Sequence, residues 1–235
     1  MKKILLIVLS FAYMITLFGC DSIHDYETDQ FIIHQFNYSY EITGYKDGYF
    51  DENLIISYDV VAFETGSSNE VHLVLNGISQ NAFQNLDLLS ISFDYYTRSE
   101  YWEISSYAFA DNGNLTNVDF NGLLFYLDDF VFANDSNLES IDISNVRSIG
   151  DSAFKDCAKL EEVHIGTAIL TIGNNTFENC ADNISIYINS SIPPTIGSDV
   201  FQGVENYKIY VPSDNLDDYI NAEGWEVYST HIFAL

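Results

Sequence analysis

From the middle of the chain to its end, hydrophobic positions return in one fixed order. Phe83, Phe109, Phe132, Phe154, Phe177 and Phe201 follow one another at intervals of 26, 23, 22, 23 and 24 residues. Five positions before each stands an aliphatic residue, from Ile78 and Ile104 through Leu127 and Ile149 to Ile172 and Ile196. Directly before each is a small or β-branched one, such as Ala82, Val131 or Thr176. After it the chain takes the form L-x-x-I-x-I, as in Leu138, Ile141 and Ile143, or Leu160, Val163 and Ile165. That alternation predicts a short strand with two aliphatic side chains on one face and the residue between them on the other. Self-similarity at a period of about 20–50 residues marks a repeat array, whose single units cannot bury their apolar faces alone. The pattern therefore predicts a solenoid with one short parallel strand per 22–26-residue repeat, over residues 77–211.

The flanks read differently. Phe36, Tyr38, Tyr40 and Ile42 alternate with polar residues up to Gly44, and Leu54–Phe63 and Val71–Leu75 are further strand-like runs. Without the phenylalanine repeat, residues 31–76 are expected to form a β-rich N-terminal cap. After Val211, residues 212–235 are expected to close the array with a helix from Ser213 to Trp225. Ser213 would be its N-cap, Gly224 its C-cap, and Leu216, Tyr219 and Ile220 its apolar face. Residues 20–30 are polar and acidic and read as a tether.

The best copy of the unit is Ile149-Gly150-Asp151-Ser152-Ala153-Phe154-Lys155-Asp156-Cys157, continuing to Leu160, Val163 and Ile165. It resembles the BspA-like class of leucine-rich repeats. Tyr40-Glu41-Ile42-Thr43-Gly44-Tyr45, Ile192-Pro193-Pro194-Thr195-Ile196-Gly197 and Ile209-Tyr210-Val211-Pro212 extend the resemblance into both flanks. It implies a right-handed superhelix and adhesion to proteins of a host or neighbouring cell. Asn183 stands where that class has leucine, and Leu127-Asp128 where it has Ile-Gly.

Two lysines, Lys2 and Lys3, precede a mostly apolar run from Ile4 to Phe18. As a helix this run rises about 22 Å, short of a hydrocarbon core of roughly 30 Å, so a cleaved leader is a better reading than a membrane span. Leu17-Phe18-Gly19-Cys20 resembles the lipobox of bacterial lipoproteins. The resemblance implies a signal peptide over residues 1–19, lipidation at Cys20, and export to the bacterial cell envelope or surface on a membrane anchor; an ordinary secretory signal is the alternative. The whole chain has 8 Lys and Arg against 35 Asp and Glu, a net charge of −27. Such a field repels phosphate backbones, which excludes nucleic acid as a partner.

Little in the chain is patterned for covalent chemistry, and no cofactor or metal is expected. The histidines share no metal spacing, paired acids such as Asp128-Asp129 lack a calcium-loop pattern, and no nucleophile elbow or phosphate loop occurs. Cys157 and Cys180 occupy the same position of consecutive repeats, about 5 Å apart across stacked strands. A disulfide fits that distance, whereas a column of small buried residues would hold two free thiols; the side-chain direction in such ladders favours the thiols. The outward residue of each strand is the better candidate. Stacking lines up Ser92, Asp119, Asp142, His164, Tyr187 and Tyr210 as a partner-binding stripe, acidic at one end and aromatic at the other. The expected function is non-enzymatic binding of a protein partner from the cell surface, the alternative being glycan capture at the aromatic end.

Overall fold

The structure, a computed structural model, describes residues 24–36, 39–65, 67, 68, 70–94 and 101–235. The leader, Cys20 and Tyr38 lie outside the described residues. Among the described residues, six strands precede the first repeat: β1 (His24–Glu27), β2 (Phe31–Phe36), β3 (Ser39–Tyr45), β4 (Asn53–Ile56), β5 (Asp59–Glu64) and β6 (Glu70–Val74). The repeats follow in pairs of strands: β7 (Gly77–Ile78) and β8 (Ser90–Phe93), β9 (Trp102–Ile104) and β10 (Asn117–Asp119), β11 (Phe125–Leu127) and β12 (Ser140–Ile143). The later pairs are β13 (Val146–Ile149) and β14 (Glu162–Ile165), β15 (Thr171–Ile172) and β16 (Ser185–Ile188), β17 (Thr195–Ile196) and β18 (Lys208–Val211), with β19 (Ile232–Ala234) last.

Even-numbered strands form the expected parallel ladder, in the orders β4-β8-β10 and β12-β14-β16-β18-β19. The odd-numbered strands make a second parallel ladder, β7 to β17, which continues through β3 into the antiparallel cap strands β2, β1, β5 and β6. It carries the aliphatic residue five positions before each phenylalanine. Its rungs are two to four residues long, too short for any alternation to show in the sequence.

Between the ladders lies the phenylalanine column. Successive rings from Phe83 to Phe201 stack with centroids 5.5–5.8 Å apart and planes within 7–19° of each other. Each ring is buried, worth about 1.5–3 kcal/mol relative to exposure. The backbone is ordered with it. The amide of Phe83 donates to the Ala108 carbonyl at 2.8 Å, Phe132 to Ala153 at 2.8 Å and Phe154 to Thr176 at 2.9 Å. Wherever a further repeat follows, residues two before and two after the phenylalanine donate to the next rung in the same way, for example Ser152 to Asn174 and Asp156 to Glu178. These flanking residues are all left-handed, with φ between 53° and 80°, among them Asn81, Asn85, Asp111, Asn134 and Gly203. Asparagine and aspartate tolerate that conformation best, which accounts for where they recur. Tyr107 and Phe130 adopt it at a cost of order 1–3 kcal/mol, and their rings stack at 4.8 Å, 2° from parallel.

The column is closed by aromatic edges. Phe31 and Tyr45 meet Phe83 edge-on at 6.0 and 5.2 Å. At the far end Tyr207 stacks on Phe201 at 4.1 Å, and Tyr228 meets it edge-on at 5.7 Å. Trp225 fixes this end by donating its indole N–H to the Pro194 carbonyl at 2.7 Å.

Several expectations for the flanks are corrected. Residues 24–27 are not tether but β1, paired with both β2 and β5. The alternating run at 36–43 divides between β2 and β3, and Leu54–Phe63 between β4 and β5, because β4 leaves the cap to become the first rung of the even ladder. The closing α-helix covers Leu216–Ile220 alone, between 3-10 turns at Ser213–Asn215 and Glu226–His231. Ser213 caps nothing; its hydroxyl donates to the Leu235 carbonyl at 2.6 Å, and Gly224 lies in the turn after the helix. Asn183 is exposed, and Ile184 fills the expected leucine site, so one residue more precedes that site and one fewer follows it, which leaves Ile186 and Ile188 in register.

The Ile-Gly position is set by the approach of stacked turns. A Cβ on Gly173 would stand 2.5 Å from the Gly150 carbonyl carbon, a backbone atom that cannot swing aside. Asp128 is accommodated one turn earlier, where Ser105 holds the preceding equivalent position. Gly173→Ala is expected to lower stability by about 1–3 kcal/mol, the usual cost of overpacking. Urea unfolding checks this, and an unchanged midpoint would contradict the close stacking.

Candidate functional site

The even ladder is built so that two side chains of every rung are inside and the one between them outside. In β14, Val163 and Ile165 are fully buried while His164 lies half-exposed between them. Register then assembles the stripe. Asp142 is paired with His164, His164 with Tyr187, and Tyr187 with Tyr210. Ser92 and Asp119 are brought together separately, because β10 and β12 belong to different sheets. Two residues were missed by sequence reasoning: Ile55, opposite Ser92 on β4, and Phe233, opposite Tyr210 on β19. Ile55 was legible in the Leu-Ile-Ile pattern of β4; β19 follows a turn region and carries no repeat signature.

The aromatic end is ordered. His164 stacks on Tyr187 at 4.8 Å and Tyr187 on Tyr210 at 4.9 Å, with planes 10° and 9° apart; Phe233 continues the row at 5.9 Å, tilted by 40°. The row places one ring on each rung from β14 to β18, half-exposed along its length.

At the acidic end the carboxylates are held locally. Asp119 Oδ1 accepts the Asn121 amide at 2.8 Å, and Asp142 Oδ1 accepts the Ser144 amide at 2.9 Å, each ending its strand. The His164 Nε2 faces Glu162 Oε1 at 2.5 Å. Trp102 and Tyr126 do not join this face. Trp102 is core, and Tyr126 points outward from the odd ladder, 5.1 Å from Tyr101, above whose ring Arg147 sits at 5.7 Å.

Cys157 and Cys180 are free and buried, and each thiol donates to the carbonyl of the preceding column phenylalanine, Phe132 at 3.1 Å and Phe154 at 3.2 Å. Burial pushes both thiols up, the opposite of what a nucleophile needs. Their column continues back through Asp135 and Asn112, three residues after Phe132 and Phe109. Asn112 donates its amide to the Phe83 carbonyl at 2.9 Å, as the thiols do to theirs. Asp135 accepts the Asn112 backbone N–H on Oδ1 at 2.7 Å, and its Oδ2 is buried without a hydrogen-bond partner. Among the described residues no three His, Cys, Asp or Glu side chains converge as a metal site.

The match to a family model settles which fold this geometry represents: the BspA type leucine rich repeat region is found in six copies over residues 102–221. The chain belongs to the BspA-type leucine-rich-repeat family. The pneumococcal vaccine antigen PcpA is similar over 83% of this chain and 51% of its own, with 16% identity and a TM-score of 0.60. A leucine rich cell surface protein from Faecalibacterium prausnitzii A2-165 is similar over 80% and 55%, with 19% identity and a TM-score of 0.55. A leucine rich repeat protein of T. pallidum is similar over 82% and 92%, with 14% identity and a TM-score of 0.50. At such identities the likeness is one of fold. The chain spans about half the length of PcpA. No curated protein matches the sequence. Among the described residues no helix is long and apolar enough to cross a membrane.

Within this BspA-type solenoid Asp135 is a point of weakness. Burial, reinforced by Asp111, holds its carboxyl well above the usual range, against the opposing Asn112 hydrogen bond. In the unfolded chain an aspartate ionises near pH ~3.9. The folded form keeps its proton to higher pH, so its stability contribution is present at low pH and is lost as pH rises towards the folded value. Asp135→Asn is expected to raise stability at pH 7 by about 1–3 kcal/mol and to shrink the fall in urea midpoint between pH 5 and 7. A variant less stable than wild type at pH 7 would show that the ionised carboxylate is accommodated.

Proposed function

We propose that this chain is a non-enzymatic, membrane-tethered binding module of the bacterial cell surface, with the outward face of the even ladder as its contact surface for a protein. Proteins of this repeat family are in general non-catalytic and bind other proteins. The carrying observation is the row His164, Tyr187, Tyr210 and Phe233, which lies half-exposed on the outward face of the even ladder. His164, Tyr187 and Tyr210 are packed face to face with Phe233 tilted against the last of them, so these three offer edges, a histidine nitrogen and tyrosine hydroxyls rather than open faces. Sugars stack on open aromatic faces, while protein contacts use aromatic edges and hydroxyls, so the arrangement favours a protein over a glycan.

The tether is short under this reading. Lipidation at Cys20 leaves three residues before β1 begins at His24. Even fully extended, that segment holds β1 within about 14 Å of the anchored residue. The solenoid would stand close to the membrane.

Replacing Asp142, His164, Tyr187 and Tyr210 together by alanine is expected to weaken binding to a partner cross-linked at the cell surface by about tenfold or more. Full retention of binding would remove this face from the function. Mass measurement of the N-terminal peptide of the exported protein is expected to find acylated Cys20, and an unmodified cysteine there would contradict the anchor.

A further inference from the structure

The proposed contact face has a direction. Two columns cross β12 to β18 in register: Ser140, Glu162, Ser185 and Lys208, and beside them Asp142, His164, Tyr187 and Tyr210. Phe233 prolongs the second column on β19. One end carries Asp142 and Glu162, with exposed Glu139 and Glu161 just before the strands. The other end carries Tyr187, Tyr210, Phe233, which is 42% exposed, and Lys208. Within the two columns themselves the carboxylates stand at the first end and Lys208 at the second; before the strands, Lys159 precedes β14, and Asp182 and Glu205 precede β16 and β18.

We infer that the partner offers this face an amphipathic α-helix, laid along the ladder with its basic end over Asp142 and Glu162 and its apolar or aromatic end over Tyr187, Tyr210 and Phe233. The inference rests on the protein-binding reading above and adds the chemistry and pose of the ligand. Charge complementarity fixes the polarity: a basic segment is attracted to the first end, and Lys208 opposes its placement at the second. Spacing fixes the secondary structure. Rungs recur every ~4.8 Å and helical turns every ~5.4 Å, so four steps accumulate a mismatch of about 2 Å, within the reach of side chains. An extended strand repeats its same-face side chains every ~6.6 Å and drifts by about 7 Å over the same distance. Anchors at i, i+4, i+7 and i+11 would meet successive rungs, as in other helix-in-groove contacts.

The probes are two fluorescent 15-residue helical peptides of identical composition. One has lysines on the first two turns and leucine and tryptophan on the last two, all on one face; the other interleaves them. Binding is read on cells displaying the full chain, with non-expressing cells subtracting adsorption. The segregated peptide is expected to bind about tenfold tighter than the interleaved one. Asp142→Lys with Glu162→Lys should abolish that preference and the salt dependence of binding. Tyr210→Ser with Phe233→Ser should weaken binding while the salt dependence remains. Equal binding of the two peptides, or no binding of either, overturns the inference. A cross-linked partner that still depends on the stripe in that case leaves the protein-binding reading intact; a partner indifferent to the stripe removes both.

Discussion

One buried phenylalanine per turn, stacked on the next, is the constraint on which this solenoid depends. Its ring supplies the burial that a 22–26-residue unit lacks alone, and its amide binds the next turn through a backbone hydrogen bond. To place that amide correctly the chain turns left-handed on both sides of the ring, which requires residues that accept positive φ. The same stacking brings Gly173 onto Gly150 and leaves no room for a side chain there. Edge-on aromatics at both ends keep the column dry, so the caps belong to the same core as the repeats.

The stacking also produces the functional face. Inside residues hold the rungs in register, so outward residues fall into columns whether or not the fold needs them. Structure and recognition are thereby assigned to different residues of the same strand. Val163 and Ile165 hold the core, while His164 between them is free to meet a partner. The fold's tolerance of sequence change fits this division, since three similar structures share 14–19% identity with the chain over most of its length.

Much of this was legible in the sequence because the repeat is one-dimensional. Aligning the phenylalanines gave the register, and the register gave the pairing of Asp142, His164, Tyr187 and Tyr210. What stayed hidden lacked a period or was too short to show one. The odd ladder has rungs such as Thr171–Ile172, where two residues cannot alternate. β1 reads as acidic tether because its apolar partners lie on other strands. The left-handed columns were present as Asn and Asp two places before and after the phenylalanines, a signal masked by the general abundance of those residues. Phe233 joins the stripe only because the chain returns after Trp225 to add β19, and no repeat signature marks that return. Asp135 replaces a cysteine-like position with a carboxyl, and only its burial distinguishes it from the many surface acids.

The inner column holds the fold while the outer stripe is left for recognition. Phe154 and His164 belong to the same repeat and test this directly, by comparing the unfolding free energies of Phe154→Ala and His164→Ala in urea. The account predicts a loss of about 3–5 kcal/mol for the first and less than about 1 kcal/mol for the second. Comparable losses for both would mean that the stripe is part of the scaffold, and would contradict its assignment as a surface kept for binding.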